Sequence, residues 1–256
     1  MTPARPPRRP GAPGTPGTRR ARVAGRERPG PRGLAAVILS LDTATDFPSL
    51  ALGTPAAPGP DARLGDRRAL SREIERAAAG LLADRGATVR DLEAVLLADG
   101  PGSFTGLRIG AAFAKGLARA LGVPLLTAPS MLGAAAAAAG AAARASPVEV
   151  EVRYDALRGE CYRAVFRVAA GGALVLAAPA LAAAPPASEQ GFREGAARPP
   201  DALVAAERDA SAAALLGLVG NEGGPAAVAD PGRWEPHYGR PAEAEARRLA
   251  RERGGA

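Results

Sequence analysis

Residues 97–121, LADGPGSFTGLRIGAAFAKGLARAL, constrain the fold more than any other part of the chain. The apolar run over residues 94–98 predicts a strand, the glycines of residues 100–102 predict a turn, and Ser103 or Thr105 can cap the helix that follows. A glycine loop that leads into a helix exposes unpaired backbone N–H groups, so it can bind an anion. The loop lacks the Gly-Lys-Ser/Thr ending of a P-loop and does not match GxGxxG.

The helix in this stretch, which Gly122 and Pro124 end, has an unusually wide apolar surface. One face carries, at helical spacing, Ile109, Ala112, Phe113, Gly116, Leu117, Ala120 and Leu121. A stripe of small residues at every fourth position extends this face on one flank: Gly106, Gly110, Ala114 and Ala118. Small residues let a second backbone approach closely. The stripe predicts either a helix wedged between its own sheet and its neighbouring helix, or one that also contacts a partner protein.

The positive charge of the chain is concentrated at its start. Of the net +7, residues 1–32 contribute nine Arg and one Glu, so the remainder carries 24 basic and 25 acidic residues. The rest is therefore close to neutral and shows no overall nucleic-acid footprint. Residues 1–33 are rich in Pro, Gly and Arg and are predicted to be a disordered tail. They are either a basic arm that contacts RNA phosphates or an extension without a function, and they do not look like a secretory signal.

Single cysteine and histidine residues limit the chemistry. Cys161 is the only cysteine, so an intrachain disulfide is impossible, a cytoplasmic location is expected, and a core position is favoured over a nucleophile. His237 is the only histidine, which excludes sites with several histidine ligands. No metal site and no catalytic residue are predicted, and no apolar run is long enough to span a membrane.

The order of the elements predicts an α/β lobe of the ribonuclease-H type over residues 34–129. Three strands come first, near residues 35–42, 49–52 and 62–64, and helices then alternate with strands. The first helix, which Ser71 caps, carries its apolar residues at helical spacing: Ile74, Ala77, Ala78, Leu81 and Leu82. Asp42 ends the first strand, where it can bind a phosphate-bound metal ion or cap its own turn.

A second, less regular unit covers residues 130–240, followed by an Arg-rich helix over 241–256. It opens with an alanine-rich helix that Ser130 caps, and residues 148–154 and 161–168 then predict a hairpin. Residues 174–176 predict a third strand, 202–206 a strand or a helix, and 211–218 a helix. Residues 183–200 predict a loose connection without regular elements.

Four segments resemble the TsaB (YeaZ) family of bacterial tRNA-modification proteins. They are VILSLDTAT, DGPGSFTGLRIGAAFAKGLARALGVPLL, YDALRGECYRAVF and EPHYGRPAEAE, and together they span residues 37–245 in the order of the family. The second is the most specific. This chain departs from the family pattern at Leu70, where members usually have His, and at Leu157, where they have Arg.

The resemblance implies a two-lobed actin-like fold with a reduced second lobe. It also implies a cytoplasmic, non-catalytic subunit that pairs with and activates the paralogue TsaD, which modifies the adenosine beside the anticodon, while TsaE joins as an ATPase and tRNA binds through the complex. The first two helices form the pairing surface, which can also join two copies of the chain. The residues expected there are Ile74, Ala78, Leu81, Gly106, Gly110, Ala114 and Ala118.

Two further hypotheses remain open from the sequence. A nucleotide-dependent phosphotransferase or ATPase would use Asp42 and the loop from Gly100 to Gly102, but the second lobe offers only the weak match GNEGG as a second phosphate loop. An RNA-binding module would act through the basic tail. No cofactor is expected apart from weak ATP or ADP binding, at the interface with TsaD, in a vestigial site comprising Asp42, Thr43, Gly100, Gly102 and Ser103.

Overall fold

The structure, a computed structural model, describes residues 37–65, 69–184 and 203–240. Its first sheet contains the strands β1 (Val37–Asp42), β2 (Ser49–Gly53), β3 (Ala62–Arg63), β4 (Leu92–Ala98), β5 (Leu125–Ala128) and β10 (Ala226–Ala227). Their order is β10-β5-β4-β1-β2-β3. The first three strands are antiparallel, whereas β4 and β5 continue the sheet in parallel with β1. This arrangement confirms the prediction of a ribonuclease-H-type lobe.

The apolar run over residues 94–98 in β4 reflects burial on both faces of the sheet. Val95 and Leu97 face one core, which α1 (Leu70–Asp84) and α2 (Phe104–Leu121) cover. Leu96 and Ala98 face a second core. Glu93, near the start of β4, is exposed, but from Ala94 to Ala98 both faces of the strand are buried, so this part of the sequence lacks the alternation of a half-exposed strand.

The ends of the helices follow local capping chemistry, with two corrections. Ser103 caps α2 by accepting the Gly106 N–H at 3.2 Å, and Gly122 ends the helix in the left-handed region at φ 64°. Ser71 was expected to cap α1, but the N-cap is Ala69, which has no side-chain cap hydrogen bond. Ser130 is likewise the first residue of α3 (Ser130–Ala139), after the N-cap Pro129, and its hydroxyl donates to the Pro101 carbonyl at 2.9 Å.

The second sheet has the order β8-β7-β6-β9. Its strands are β6 (Val148–Asp155), β7 (Glu160–Ala169), β8 (Gly172–Ala183) and β9 (Leu203–Ala206), so the predicted hairpin is confirmed. The third strand is much longer than the three residues that the sequence indicated, and residues 203–206 form a strand parallel to β6. The helices α3, α4 (Ala142–Ala145) and α5 (Ala212–Gly217) complete the fold.

The predicted boundary between lobes at residue 130 does not separate two independent cores. The second core combines β4 residues of the first sheet with α3, α5 and the inner face of the second sheet. The start of α5 is also bound to the first sheet, because the Ser40 hydroxyl donates to the Ala212 carbonyl at 2.7 Å and Ala212 N–H donates to the Ser49 hydroxyl at 3.1 Å. Strand β10 then returns the chain to the first sheet.

Several sequence predictions lie outside the described residues. These are the basic tail over residues 1–33, the final helix over 241–256 and most of the loose connection over 183–200. Within the described part of the chain, no helix has both the length and the apolar composition that a membrane crossing requires.

Candidate functional site

The stripe of small residues on α2 faces the chain's own sheet. Gly106, Gly110, Ala114 and Ala118 are all buried. A Cβ atom at Gly106 would lie 2.0 Å from the Thr43 carbonyl oxygen, and one at Gly110 would lie 2.2 Å from the Thr43 hydroxyl oxygen. The glycines therefore let α2 pack directly on the β1–β2 turn. The prediction that these four residues contact a partner is corrected, because the chain itself covers them.

On α1 the same correction applies to Ile74 and Ala78, which are buried in the core beneath the helix. Leu81 is the one predicted interface residue that is only partly buried. A periodicity of four keeps a helical residue on one face, but it cannot show whether that face meets the chain's own sheet or another protein.

A different flank of the two helices remains accessible, which we call the helix-pair surface. Its partly buried members pack at the edge of the first core, and its exposed members are small. It comprises Ala77, Gly80 and Leu81 on α1 and Ile109, Ala112, Phe113, Gly116, Leu117 and Ala120 on α2. A Cβ atom at Gly80 or Gly116 would have nothing within 4 Å. The surface is thus apolar, uncharged and open to a second backbone.

The residues predicted to form a nucleotide site do not come together around one space. Asp42 and Thr43 are fully buried, and Gly100 is packed so closely that a Cβ would lie 2.1 Å from the His237 carbonyl oxygen. Only Gly102 and Ser103 line a cavity. The Asp42 Oδ1 atom accepts the Ala44 N–H at 3.0 Å, which is the turn-capping alternative of the sequence interpretation.

Burial changes the acid–base behaviour of two aspartates near these loops. Desolvation raises the pKa of Asp42 to about 7, despite the hydrogen bond from Ala44. Desolvation also raises the pKa of Asp99 to about 6, although His237 and Thr127 favour its charged form. Both carboxyls are located where the β-strands of the first sheet end, yet neither lines the cavity described next.

A cavity of about 550 Å³, the interlobe cavity, opens between the β1–β2 turn, the start of α2 and the β6–β7 turn. Its lining includes three carboxylates, several hydroxyls and three aromatic rings. The residues are Ala44, Thr45, Asp46, Gly102, Ser103, Phe104, Thr105, Asp155, Ala156, Leu157, Tyr162, Glu207, Tyr238 and Arg240. Most of these were missed in the sequence interpretation, although the signatures that contain Tyr162, Tyr238 and Arg240 had been noted without a role.

Residues 234–240, which we call the strap, connect the first sheet to the second beside this cavity. Lys115 donates to the Trp234 carbonyl at 2.8 Å, and the His237 N–H donates to the Asp99 carbonyl at 2.7 Å. Further along, the Tyr162 hydroxyl on β7 donates to the Tyr238 carbonyl at 3.3 Å. The strap is therefore hydrogen-bonded to α2 and to the residue after β4 on one side, and to β7 of the second sheet on the other.

The end of the strap also completes the wall of the cavity. The rings of Phe104 and Tyr238 lie 4.7 Å apart between centroids, and the Arg108 guanidinium lies 5.4 Å from the Phe104 centroid. Arg240 pairs with Glu160 on β7. These contacts place two aromatic rings and the guanidinium groups of Arg108 and Arg240 near the start of α2.

Within residues 37–65, 69–184 and 203–240, no group of three or more His, Cys, Asp or Glu side chains is placed to hold a metal ion. Cys161 is buried on β7, and desolvation raises the pKa of its thiol. The core interpretation of this cysteine therefore agrees with its position, because a raised pKa disfavours the reactive thiolate.

The two-sheet architecture places the chain in the actin-like α/β class. A family model described as "TsaD: tRNA N6-adenosine threonylcarbamoyltransferase" matches residues 66–208, more than half of the chain. The chain therefore belongs to the family that this model describes, within which its named relatives are TsaB proteins. The resemblance noted in the sequence is thus confirmed.

Two named relatives are similar over part of their length. The protein "tRNA threonylcarbamoyladenosine biosynthesis protein TsaB" of Escherichia coli is 32% identical over 130 residues, or 51% of this chain and 54% of the relative. The protein of the same name in Bacillus subtilis is 36% identical over 87 residues, or 34% of this chain and 36% of the relative. The chain thus spans about a third to a half of the curated relatives that it matches.

A solved structure supports the fold. The solved structure of YeaZ from Pseudomonas aeruginosa superimposes with a TM-score of 0.59, and the match covers 79% of this chain and 99% of the YeaZ chain. Its sequence is 23% identical, so the comparison concerns the fold alone.

Proposed function

We propose that this chain is a non-catalytic subunit in the biosynthesis of threonylcarbamoyladenosine in tRNA, and that it pairs with a TsaD paralogue and activates it. The names of the curated relatives support the pathway. The reaction itself, on the adenosine beside the anticodon, is assigned to TsaD. A TsaE ATPase and tRNA join through the complex, and two copies of this chain pair when TsaD is absent.

The observation that carries the proposal is the helix-pair surface. It is apolar and has no charged member, yet the chain leaves it partly exposed. Soluble proteins keep such patches small unless a partner covers them. Gly80 and Gly116 add open space at which the backbone of a partner helix can approach closely. A paralogue with the same fold offers a matching helix pair, which favours a pseudo-symmetric contact.

The environment of Asp42 also supports a non-catalytic role for the chain. A phosphate-bound metal ion needs an accessible carboxylate, whereas Asp42 is fully buried and one of its oxygens caps its own turn. The phosphotransferase alternative requires this residue at the nucleotide. We therefore propose that the chain has no catalytic residue of its own and needs no cofactor for the pairing.

Co-purification with TsaD tests the proposed surface. Gly116→Arg leaves the fold intact because its Cβ has open space and arginine is the better helix former, but it places a long charged side chain in the contact. We expect the variant to unfold no earlier than the parent and to lose TsaD. Gly171→Arg, at another glycine with nothing within 4 Å, is the matched control and should retain TsaD. Undiminished binding by Gly116→Arg would rule out this surface.

A further inference from the structure

We propose that a basic row on α2 determines which partner binds the helix-pair surface, and that this partner carries acidic side chains on its docking helix. The row comprises Arg108, Lys115 and Arg119. The inference rests on the proposed pairing with TsaD, and it goes further by naming the chemistry that the contacting face of the partner must have. Three observations support it: the position of the row, the exposure of its arginines and the charges on the chain's own helices.

The row lies directly beside the helix-pair surface. Arg108 precedes Ala112 by four residues, and Lys115 follows Ala112 by three. Arg119 follows Gly116 by three. Side chains three or four residues apart are neighbours on the surface of a helix. A partner that covers the helix-pair surface therefore meets the row at the edge of the contact, which is where protein interfaces keep their polar groups.

The two arginines of the row keep their charge accessible. Lys115 pairs with Glu235 of the strap, at 3.6 Å between Nζ and Oε1. Arg108 and Arg119 are exposed, and no acidic side chain in the part of the chain that the structure describes forms an ion pair with either of them. The contact of Arg108 with the Phe104 ring leaves its positive charge in place. Both guanidinium groups can therefore attract carboxylates of a partner.

The charges of the chain's own helices argue against a second copy as the preferred partner. All charged residues of α2 belong to the basic row, so the helix has no acidic side chain. On α1 the charged side chains have mixed signs: Arg72, Glu73, Glu75, Arg76 and Asp84. A second copy thus offers no acidic row to the basic one, and two α2 helices that met would repel each other. Such a like-charge contact suppresses the wrong partner, while an acidic helix is favoured.

Association kinetics of the full chain with purified TsaD test the inference. Arg119→Glu should lower the association rate constant at least five-fold in 50 mM NaCl and less than two-fold in 1 M NaCl, because salt screens exposed charges. Arg144→Glu is the matched control, since Arg144 is also an exposed arginine in the last turn of a helix, here α4. It should change the rate less than two-fold at either salt concentration. Equal rates for the parent and Arg119→Glu, or equal losses for the two variants, would overturn the inference.

Comparison with Gly116→Arg separates this inference from the proposed function. If Gly116→Arg loses TsaD while Arg119→Glu associates as fast as the parent, the helix-pair surface stands and the basic row has no role in partner choice. If both variants bind TsaD undiminished, the proposed surface itself is wrong.

Two further measurements ask whether the row serves another partner. Sedimentation of the chain alone should show no loss of self-association in Arg119→Glu, and a loss as large as that for TsaD would show that the row does not discriminate between the two. Filter binding of unmodified tRNA to the chain alone should be the same for Arg119→Glu and Arg144→Glu. A selective loss of tRNA by Arg119→Glu, with TsaD association unchanged, would assign the row to RNA and overturn the inference.

Discussion

At the scale of single residues, Asp42 shows how a carboxylate behaves when the fold encloses it. The Oδ1 atom accepts the Ala44 N–H, whereas Oδ2 has no hydrogen-bond partner among the described residues. The negative charge of Asp61 raises the pKa of Asp42 by more than the positive charge of Arg63 lowers it. Enclosure therefore disfavours the charged form, and the pKa rises to about 7.

The raised pKa makes the stability of the protein depend on pH in a definite direction. Between pH values of about 4 and 7 the folded state holds a proton on Asp42 that the unfolded state has lost, so the free energy of unfolding falls as pH rises. Asp42→Asn keeps the acceptor for Ala44 but removes this titration. The variant should gain stability relative to the parent by up to about 1.4 kcal/mol per pH unit across that window.

Urea unfolding at pH 4.5, 6 and 8 measures the difference between the two proteins. The constant cost of placing an amide in this site cancels when values at different pH are compared. Asp99 titrates in both proteins, so its contribution cancels as well. Parallel stability curves for the parent and Asp42→Asn would show that Asp42 does not titrate in this way.

At the scale of elements, α2 presents glycines to two different environments. Gly106 lies against the β1–β2 turn, where a Cβ would be 2.0 Å from a backbone oxygen, while Gly116 lies at open space. Glycine is required at position 106 because the methyl group of an alanine would disrupt this close contact. Gly116 only weakens the helix in the isolated chain, so its presence is consistent with a role in docking.

Alanine substitutions should separate these two roles. Gly106→Ala should lower the free energy of unfolding by about 1–3 kcal/mol, because the backbone of the turn must move. Gly116→Ala should raise it by about 0.5–1 kcal/mol through helix propensity alone. Urea titration of both variants checks this prediction, and similar effects of the two substitutions would contradict the placement of the α2 faces.

The same helix shows what local patterns can predict. Ser103 as N-cap and Gly122 as C-cap were predictable because each acts within a few residues. Before β4, the Thr88 N–H and hydroxyl donate to the Asp91 carboxylate at 2.7 and 2.8 Å, and this local pair was predictable for the same reason. Which α2 face meets the sheet was not, since the small-residue stripe and the broader apolar face suit either environment. The small-residue stripe faces the sheet because Gly106 and Gly110 pack against Thr43, which lies more than sixty residues earlier in the chain.

At the scale of the whole molecule, the two sheets share a core and are joined again by the strap. Leu96 on β4 and Phe166 on β7 belong to the same apolar cluster. The strap adds polar contacts on both sides through His237 and Tyr238. This architecture favours a rigid partner over a hinge that opens around a nucleotide, in agreement with the proposed scaffold role.

Long-range contacts explain why the interlobe cavity was not predictable from the sequence. Phe104, Leu157 and Tyr238 are far apart in the chain and meet only because the strap returns from the second sheet to α2. The signature around Tyr238 could have indicated a role, but not a location. The ribonuclease-H-type arrangement of β1 to β5, by contrast, was predictable from the order of the elements, whereas the edge strand β10 was not predicted.

Reconstitution of tRNA modification tests the central claim most directly. The assay combines TsaD, TsaE, threonylcarbamoyl-adenylate and unmodified tRNA, with the parent chain, with Gly116→Arg or without either, and it measures threonylcarbamoyladenosine in the tRNA. We predict modification with the parent chain, a loss of at least ten-fold with Gly116→Arg or when the chain is omitted, and none from the chain alone. Modification by the chain alone, or equal modification without it, would contradict the scaffold account.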